Sequence, residues 1–205
     1  MSILQYNGGS VVAMAGEKCV GIAADTRFGV QAQTLATDYQ RVFPVNRSTL
    51  LGLAGLASDV DTCRLELGKR HALYEMRERR PMAPKVFNQM ISSYLYEHRF
   101  GPYFVEPIVA GLDPVTDAPF LCASDLLGSG CFAKDFVVSG TAENSLYGTC
   151  ETFYKPNMDE EQLFETLSQC LLSAVDRDCL SGWGGVVHIL TPERLVVRHL
   201  KGRQD

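Results

Sequence analysis

Two β-sheets packed face to face, with a pair of helices on each outer side, are the α+β architecture this 205-residue sequence predicts. Three observations carry the reading. The hydrophobic pattern runs as strands, two helices, strands, two helices, strands, the order a four-layer αββα sandwich requires. The first hairpin is apolar on both faces: Val11, Ala13 and Ala15 fall on one side, Val12 and Met14 on the other, so it needs cover on both. No linker, repeat or low-complexity tract divides the chain, so residues 1–205 are expected to form one domain with length enough for a sizeable core.

The elements follow in order. The stretch from Gly8 to Met14 and its partner from Cys19 to Arg27 are strands joined by the tight link Gly16-Glu17-Lys18. Residues 28–37 alternate small and polar side chains and predict an irregular strand pair. Residues 41–45 are a short strand, Asn46-Arg47-Ser48 a turn, and Thr49–Gly55 an apolar strand. Ser58 is expected to cap a helix over 59–78, with Asp59 and Asp61 in its first turn. Val60, Cys63, Leu67, His71 and Tyr74 form its inner stripe, and Gly68 inside it suggests close packing against a neighbour. Pro81 and Pro84 break that helix. A second helix turns Phe87, Met90, Ile91, Tyr94, Leu95 and His98 inward. His71 and His98 read as packed, hydrogen-bonded histidines.

Phe100-Gly101-Pro102-Tyr103 turns the chain back into strands over 105–112 and 118–126, around the turn Asp113-Pro114-Val115-Thr116-Asp117. Gly128-Ser129-Gly130 is a further turn, and residues 132–138 are expected to be one strand. Thr141 is placed as the cap of a helix with Leu146, Cys150 and Phe153 inward. Asp159-Glu160-Glu161-Gln162 is a capping-box signature for a helix carrying Leu163, Leu167, Cys170, Leu171 and Ala174, which stops near Arg177. After the glycine-rich turn Ser181-Gly182-Trp183-Gly184-Gly185, residues 186–190 and 195–200 form a last hairpin.

Composition narrows the function classes. A net charge of −5 argues against nucleic acid or an anionic membrane as the main partner. No apolar run is long enough to span a bilayer, and the N-terminus has neither a basic region nor a signal-peptide core, so export is not expected. The seven cysteines are odd in number and lack Cys-x-x-Cys spacing, which fits buried reduced thiols. The four histidines are scattered, so no metal site is expected. No phosphate loop, dinucleotide fingerprint or Gly-x-Ser-x-Gly elbow is present, and no cofactor is expected.

Four groups stand where strands or helices end: Asp25-Thr26-Arg27, Arg41, Ser139-Gly140-Thr141, and Arg177-Asp178-Cys179-Leu180-Ser181-Gly182. A charged end on a buried strand needs partners. Singly they are weak signals: Ser139-Gly140-Thr141 reads as a strand-to-helix turn with a cap, and residues 177–182 as a helix stop. Together with Gly21-Ile22-Ala23-Ala24-Asp25-Thr26-Arg27, Gly52-Leu53-Ala54-Gly55-Leu56-Ala57-Ser58-Asp59 and Val137-Val138-Ser139-Gly140-Thr141, they make nearly the whole chain resemble the beta-type subunits of the proteasome core particle. Tyr6-Asn7-Gly8-Gly9, Tyr96-Glu97-His98-Arg99-Phe100-Gly101-Pro102-Tyr103 and Ala110-Gly111-Leu112-Asp113-Pro114 direct the resemblance to the third, non-catalytic beta-type branch of eukaryotes.

The resemblance implies a four-layer sandwich of the N-terminal nucleophile hydrolase type. In active members a self-cleaved N-terminal threonine attacks the peptide carbonyl, with its own amine and a nearby lysine moving the proton; a hydroxyl needs such activation. By position, Asp25, Ser139, Asp178 and Ser181 match that constellation, but Arg41 stands where the lysine would be and Gly9 at the nucleophile position. Arginine stays protonated and cannot shuttle a proton, and glycine has no side chain to attack with. Ser10 is one residue out of register, and one step along a strand turns its side chain to the other face. The resemblance therefore implies a non-catalytic structural subunit with a remnant constellation. Its implied partners are other beta-type subunits of its own ring and of the opposite beta ring, alpha-type ring subunits, and unfolded polypeptide substrates through the complex. Asp125 is expected to line a neighbour's pocket and favour basic side chains, against the plainer reading of a solvated strand-end acid. Residence in cytoplasm and nucleus is implied by the family alone. An active peptidase using Ser10 and a free-standing domain of another class are the competing readings.

Overall fold

The computed structural model describes residues 2–204; Met1 and Asp205, the two ends of the expected domain span, lie outside the described residues. After a short 3-10 turn at Ile3–Gln5, the chain forms β1 (Ser10–Ala15), β2 (Val20–Asp25), β3 (Phe28–Val30), β4 (Gln33–Ala36), β5 (Val42–Asn46) and β6 (Thr49–Gly55). Helices α1 (Ala57–Glu78) and α2 (Pro84–Glu97) follow, then β7 (Val105–Leu112), β8 (Pro119–Ser124), β9 (Gly130–Ala133) and β10 (Phe136–Gly140). Helices α3 (Glu143–Phe153) and α4 (Glu160–Val175) precede β11 (Gly185–Leu190) and β12 (Leu195–Leu200).

Two antiparallel five-stranded sheets result, ordered β10-β1-β2-β11-β12 and β5-β6-β7-β8-β9, with β3-β4 as a separate ribbon. The two-faced hairpin explains the layering. Val11, Ala13 and Ile22 meet Leu50, Ala54 and Ile108 between the sheets. Val12, Met14 and Ala23 on the opposite face meet Leu146, Leu163 and Leu167 of the α3–α4 pair. Leu51, Leu53 and Val109 turn outward to Val60, Cys63, Phe87 and Ile91 of α1 and α2. Each fully buried branched side chain contributes about 2 kcal/mol by leaving water, so three contiguous apolar layers supply the driving force. Gly52 lets the sheets meet closely, since a Cβ there would press into Val11 and Ile22.

Several local expectations are corrected. Residues 132–138 are not one strand. The chain breaks at Lys134 and Asp135, so that β9 closes the edge of one sheet and β10 the edge of the other. The charged pair Lys134-Asp135 interrupts the apolar pattern where the chain crosses between the sheets. Helix α1 starts at Ala57, before Ser58, and its N-cap residue Leu56 contributes no side-chain cap. The Asn7 side chain, fifty positions upstream, caps it instead: Ala57 N donates to Asn7 Oδ1 at 2.9 Å. Gly68 is exposed with open space where a Cβ would stand, so no close neighbour accounts for it among the described residues. The helix ends at Arg79, in left-handed conformation at φ 54°, and Pro84 opens α2. Thr141 does not cap α3, whose N-cap residue is Ala142, and Phe153 is exposed. His98 is the C-cap of α2, its Nδ1 3.0 Å from Tyr94 O, while His71 Nε2 lies 3.3 Å from Glu75. The capping box of α4 forms as read: Gln162 N donates to Asp159 Oδ1 and Asp159 N to Gln162 Oε1. All seven cysteines are free thiols, five buried and two, Cys131 and Cys179, exposed.

Candidate functional site

Antiparallel register places the ends of β1, β2, β10 and β11 together. Ser10 lies opposite Gly140, and Asp25 opposite Gly185. Polar residues at these ends converge in the interior, and each must find partners there.

Asp25 and Arg41 form the first half of the cluster. The Asp25 side chain is wholly buried, and Arg41 Nη1 lies 3.3 Å from its Oδ1. Ser10 N donates to Asp25 Oδ1 at 2.9 Å, and Gly182 N and Arg27 N donate to Oδ2 at 3.0 and 3.4 Å. Burial pushes the Asp25 carboxyl up from its ordinary value; Arg41 first, then the N–H groups of Ser10, Gly182 and Arg27, pull it back. Arg41 also donates to three main-chain carbonyls: Nη1 to Asp25 at 2.9 Å, Nη2 to Gly8 at 3.2 Å, and Nη2 to Arg27. Its guanidinium stands 4.9 Å from the centre of the Tyr39 ring. The fork geometry of arginine meets all of these at once, which a lysine ammonium on a single stem does not.

Gly9 lies directly against that guanidinium. A Cβ built on Gly9 falls inside Arg41, against Nε, Cζ and Nη2, and the residue sits at φ 107°, where L side chains are strained. Arg41 thus fills the space that a side chain at position 9 would take.

The second half is a set of hydroxyls on Asp178. Thr141 Oγ1 and Ser181 Oγ both donate to Asp178 Oδ2, at 2.5 and 2.6 Å. With the Ser181 proton committed, Ser10 Oγ donates to Ser181 Oγ at 2.9 Å, and Ser10 Oγ in turn accepts from Ala142 N at 2.8 Å. The fully buried Ser10 hydroxyl therefore points away from Asp25 and faces no open space; only its backbone N–H serves the Asp25 half.

The structure brings Gly9, Asp25 and Arg41 into one contact group and Asp178 and Ser181 into the other, with Ser10 and the Ser181-Gly182 turn joining them. Ser139 bonds to neither. Its Oγ lies 3.2 Å from both the main-chain O and the Oε2 of Glu106 on β7. Asp125 is exposed, and its Oδ1 accepts from Leu127 N and Ser129 N, which closes its own turn. Sequence reasoning missed Thr141 as a member of the hydroxyl cluster, Glu106 as partner of Ser139, and Asn7 as cap of α1. Glu106 had a signal, being the one charged residue in an otherwise apolar strand. Arg27 is 1% exposed, held by Thr34 Oγ1 and by the carbonyls of Leu180 and Gln31. Among the described residues no group of three or more His, Cys, Asp or Glu side chains is arranged to hold a metal.

Comparison with known proteins agrees with this arrangement. Residues 5–190 match the family model described as proteasome subunit. The chain is 56% identical to the proteasome subunit beta type-3-A of Arabidopsis thaliana, 54% to the beta type-3 subunit of Picea mariana and 54% to that of Drosophila melanogaster, each over the full length of both chains. A family model spanning most of the chain and full-length identity above one half, on a four-layer sandwich whose strand ends carry this polar cluster, place the chain in the proteasome subunit family.

Proposed function

We propose that this chain is a non-catalytic beta-type subunit of the proteasome core particle, built into the beta ring as a structural member. The observation that carries the reading is the Gly9–Arg41 contact. Position 9 offers no nucleophile, and the space beside it is filled by a permanently charged guanidinium already committed to Asp25 and three carbonyls. Ser10 does not replace the missing group, because its oxygen accepts from Ala142 N while its proton goes to Ser181. Asp25–Arg41 and Asp178–Ser181 then serve as buried ties between strand ends. On this reading the partners are beta-type neighbours in its own ring and the opposite ring, and alpha-type subunits of the outer ring. Unfolded polypeptides are reached through the complex, in cytoplasm and nucleus.

Intact mass of this chain, taken from the native particle after treatment with an electrophilic peptide that acylates N-terminal hydroxyl nucleophiles, tests the proposal. A chain that retains residues before Gly9 and carries no label is expected. A labelled chain beginning at Ser10 overturns it.

Asp125 is proposed to act on a neighbour's pocket. Both of its turn bonds fall on Oδ1, and the side chain is exposed, so its charge remains available outside the turn. Asp125→Asn keeps the turn acceptor and removes the charge. Slower cleavage of substrates with basic residues by the assembled particle is expected; unchanged cleavage removes Asp125 from the proposal.

A further inference from the structure

Helix α1 is apolar on the side that the fold leaves open as well as on the side it covers. Val60, Cys63, Leu67 and His71 bury the inward side against the second sheet and α2. Half a helical turn away, Leu65, Leu73 and Met76 stand 56%, 52% and 72% exposed, with half-buried Ala72 between them. With Gly68 they make one outward strip about 16 Å long. Side chains held in water forgo their burial, and glycine is the poorest helix former other than proline. Neither choice serves a helix that faces solvent alone.

The shape and charge of the strip describe what covers it. Gly68 has nothing within 4 Å of the place of a Cβ, and Leu65 and Ala72 flank it one turn to either side, so it forms a notch in an apolar ridge. Gly148 of α3 is equally open, but its flanking residues are Asn144, Ser145, Glu151 and Thr152, all polar. A segment lying on α1 finds no strand edge there to take its backbone groups, and a helix satisfies its own. Most charges beside the strip are already paired within the chain: Lys69 with Glu66, Arg64 with Asp61, Arg70 with Glu97 and Arg80 with Glu78. Arg77 and Arg79 are exposed and make no ion pair among the described residues, so the Met76 end of the strip is left positive.

We infer that α1 receives an amphipathic α-helix of an adjoining subunit, with a bulky apolar side chain seated over Gly68 and a carboxylate beside Arg77 and Arg79. The source of that helix rests on the assembly reading.

The test sets two glycines against each other. Each variant chain is produced together with the natural chain, and the ratio of the two in the purified particle is read by intact mass. Gly68→Leu fills the notch and is expected to be outnumbered about tenfold, equivalent to about 1.4 kcal/mol. The same variant as a free full-length chain is expected to unfold about 2 °C higher, because leucine favours the helix and its Cβ meets nothing. Gly148→Leu carries the same gain in helix propensity and is expected to enter the particle equally with the natural chain. Free entry of Gly68→Leu overturns the inference, and so does equal exclusion of Gly148→Leu. Arg77→Lys gives a second reading that does not depend on how Gly68→Leu folds. It keeps the charge and the notch, and carbodiimide joins its amine to a carboxylate in contact. A cross-link in the particle to a peptide of another chain, with apolar residues recurring every three to four positions, is expected. Cross-links within this chain alone, or to a peptide without that period, overturn the inference. A natural chain that runs as a free monomer fails the assembly reading and this inference with it, whereas a natural chain in the particle with Gly68→Leu entering freely fails the inference alone.

Discussion

The two halves of the polar cluster, which meet at Gly9 and Ser10 where β1 begins, are built on opposite principles. Around Gly9, Asp25 and Arg41, the contacts are ionic and the carbonyls converge on one guanidinium. Around Ser10, Thr141, Ser181 and Asp178, the contacts are hydroxyl to hydroxyl to carboxylate, with the Thr141 and Ser181 hydroxyls also 2.8 Å apart. The first half is rigid because a buried charge tolerates no missing partner. The second half is a chain of neutral donors, whose members are individually cheaper to lose. The contrast teaches that the two halves differ in what they can do with a proton. The hydroxyl half keeps groups suited to handling a proton, whereas the ionic half holds a cation that never releases one.

The largest effect should come from breaking the ionic half. Asp25→Ala strands Arg41 in the interior and leaves the N–H groups of Ser10 and Gly182 unpaired, at a cost of about 3–5 kcal/mol. It should appear as a lowered denaturant midpoint and as loss of the chain from the assembled particle, with none of the particle's peptidase activity lost through this chain's own site. Normal stability and incorporation would show that Arg41 finds another partner and that the two halves differ less than their geometry indicates.

Next comes Gly9→Thr, which meets both the left-handed φ of 107° and the Arg41 guanidinium. Backbone strain and overpacking together cost about 3 kcal/mol. The sharper form of this test is a double-mutant cycle with Arg41→Lys. The shorter fork-free side chain vacates the contact, so the double variant should be less destabilised than the sum of the single variants by about 1 kcal/mol or more. Strict additivity would mean that the clash is relieved elsewhere.

Losses in the hydroxyl half should be smaller. Ser181→Ala removes a donor to Asp178 and the acceptor for Ser10, at about 1–2 kcal/mol, and Thr141→Val removes one donor at about 1 kcal/mol. Thermal unfolding of each variant, set beside Asp25→Ala, measures the ratio between the halves. Equal costs would erase the distinction. Smallest of all is Asp125→Asn, expected to leave stability within about 0.5 kcal/mol because the amide oxygen still accepts the turn bonds.

Much of this was open to inspection in the sequence. The faces of the first hairpin, the stripes of α1 and α4, the capping box at Asp159 and the order of layers follow from periods of 2 and 3.6, and the chain states these locally. The identities of Asp25 and Arg41, and the absence of a side chain at Gly9, are legible at fixed places in strand-end motifs. What the sequence left open joins distant positions. Asn7 caps a helix fifty residues on, and Thr141 serves a carboxylate on the turn after α4 rather than its own helix. Ser139 turns to Glu106, and β9 and β10 part into different sheets on either side of Lys134-Asp135. Above all, the guanidinium of Arg41 occupies the place of a missing side chain thirty-two positions earlier in the chain. Local periodicity determines which face of each element is buried. The direction in which a buried polar side chain finds its partner is decided only when the sheets close and water is excluded, because until then water satisfies every one of those groups equally well.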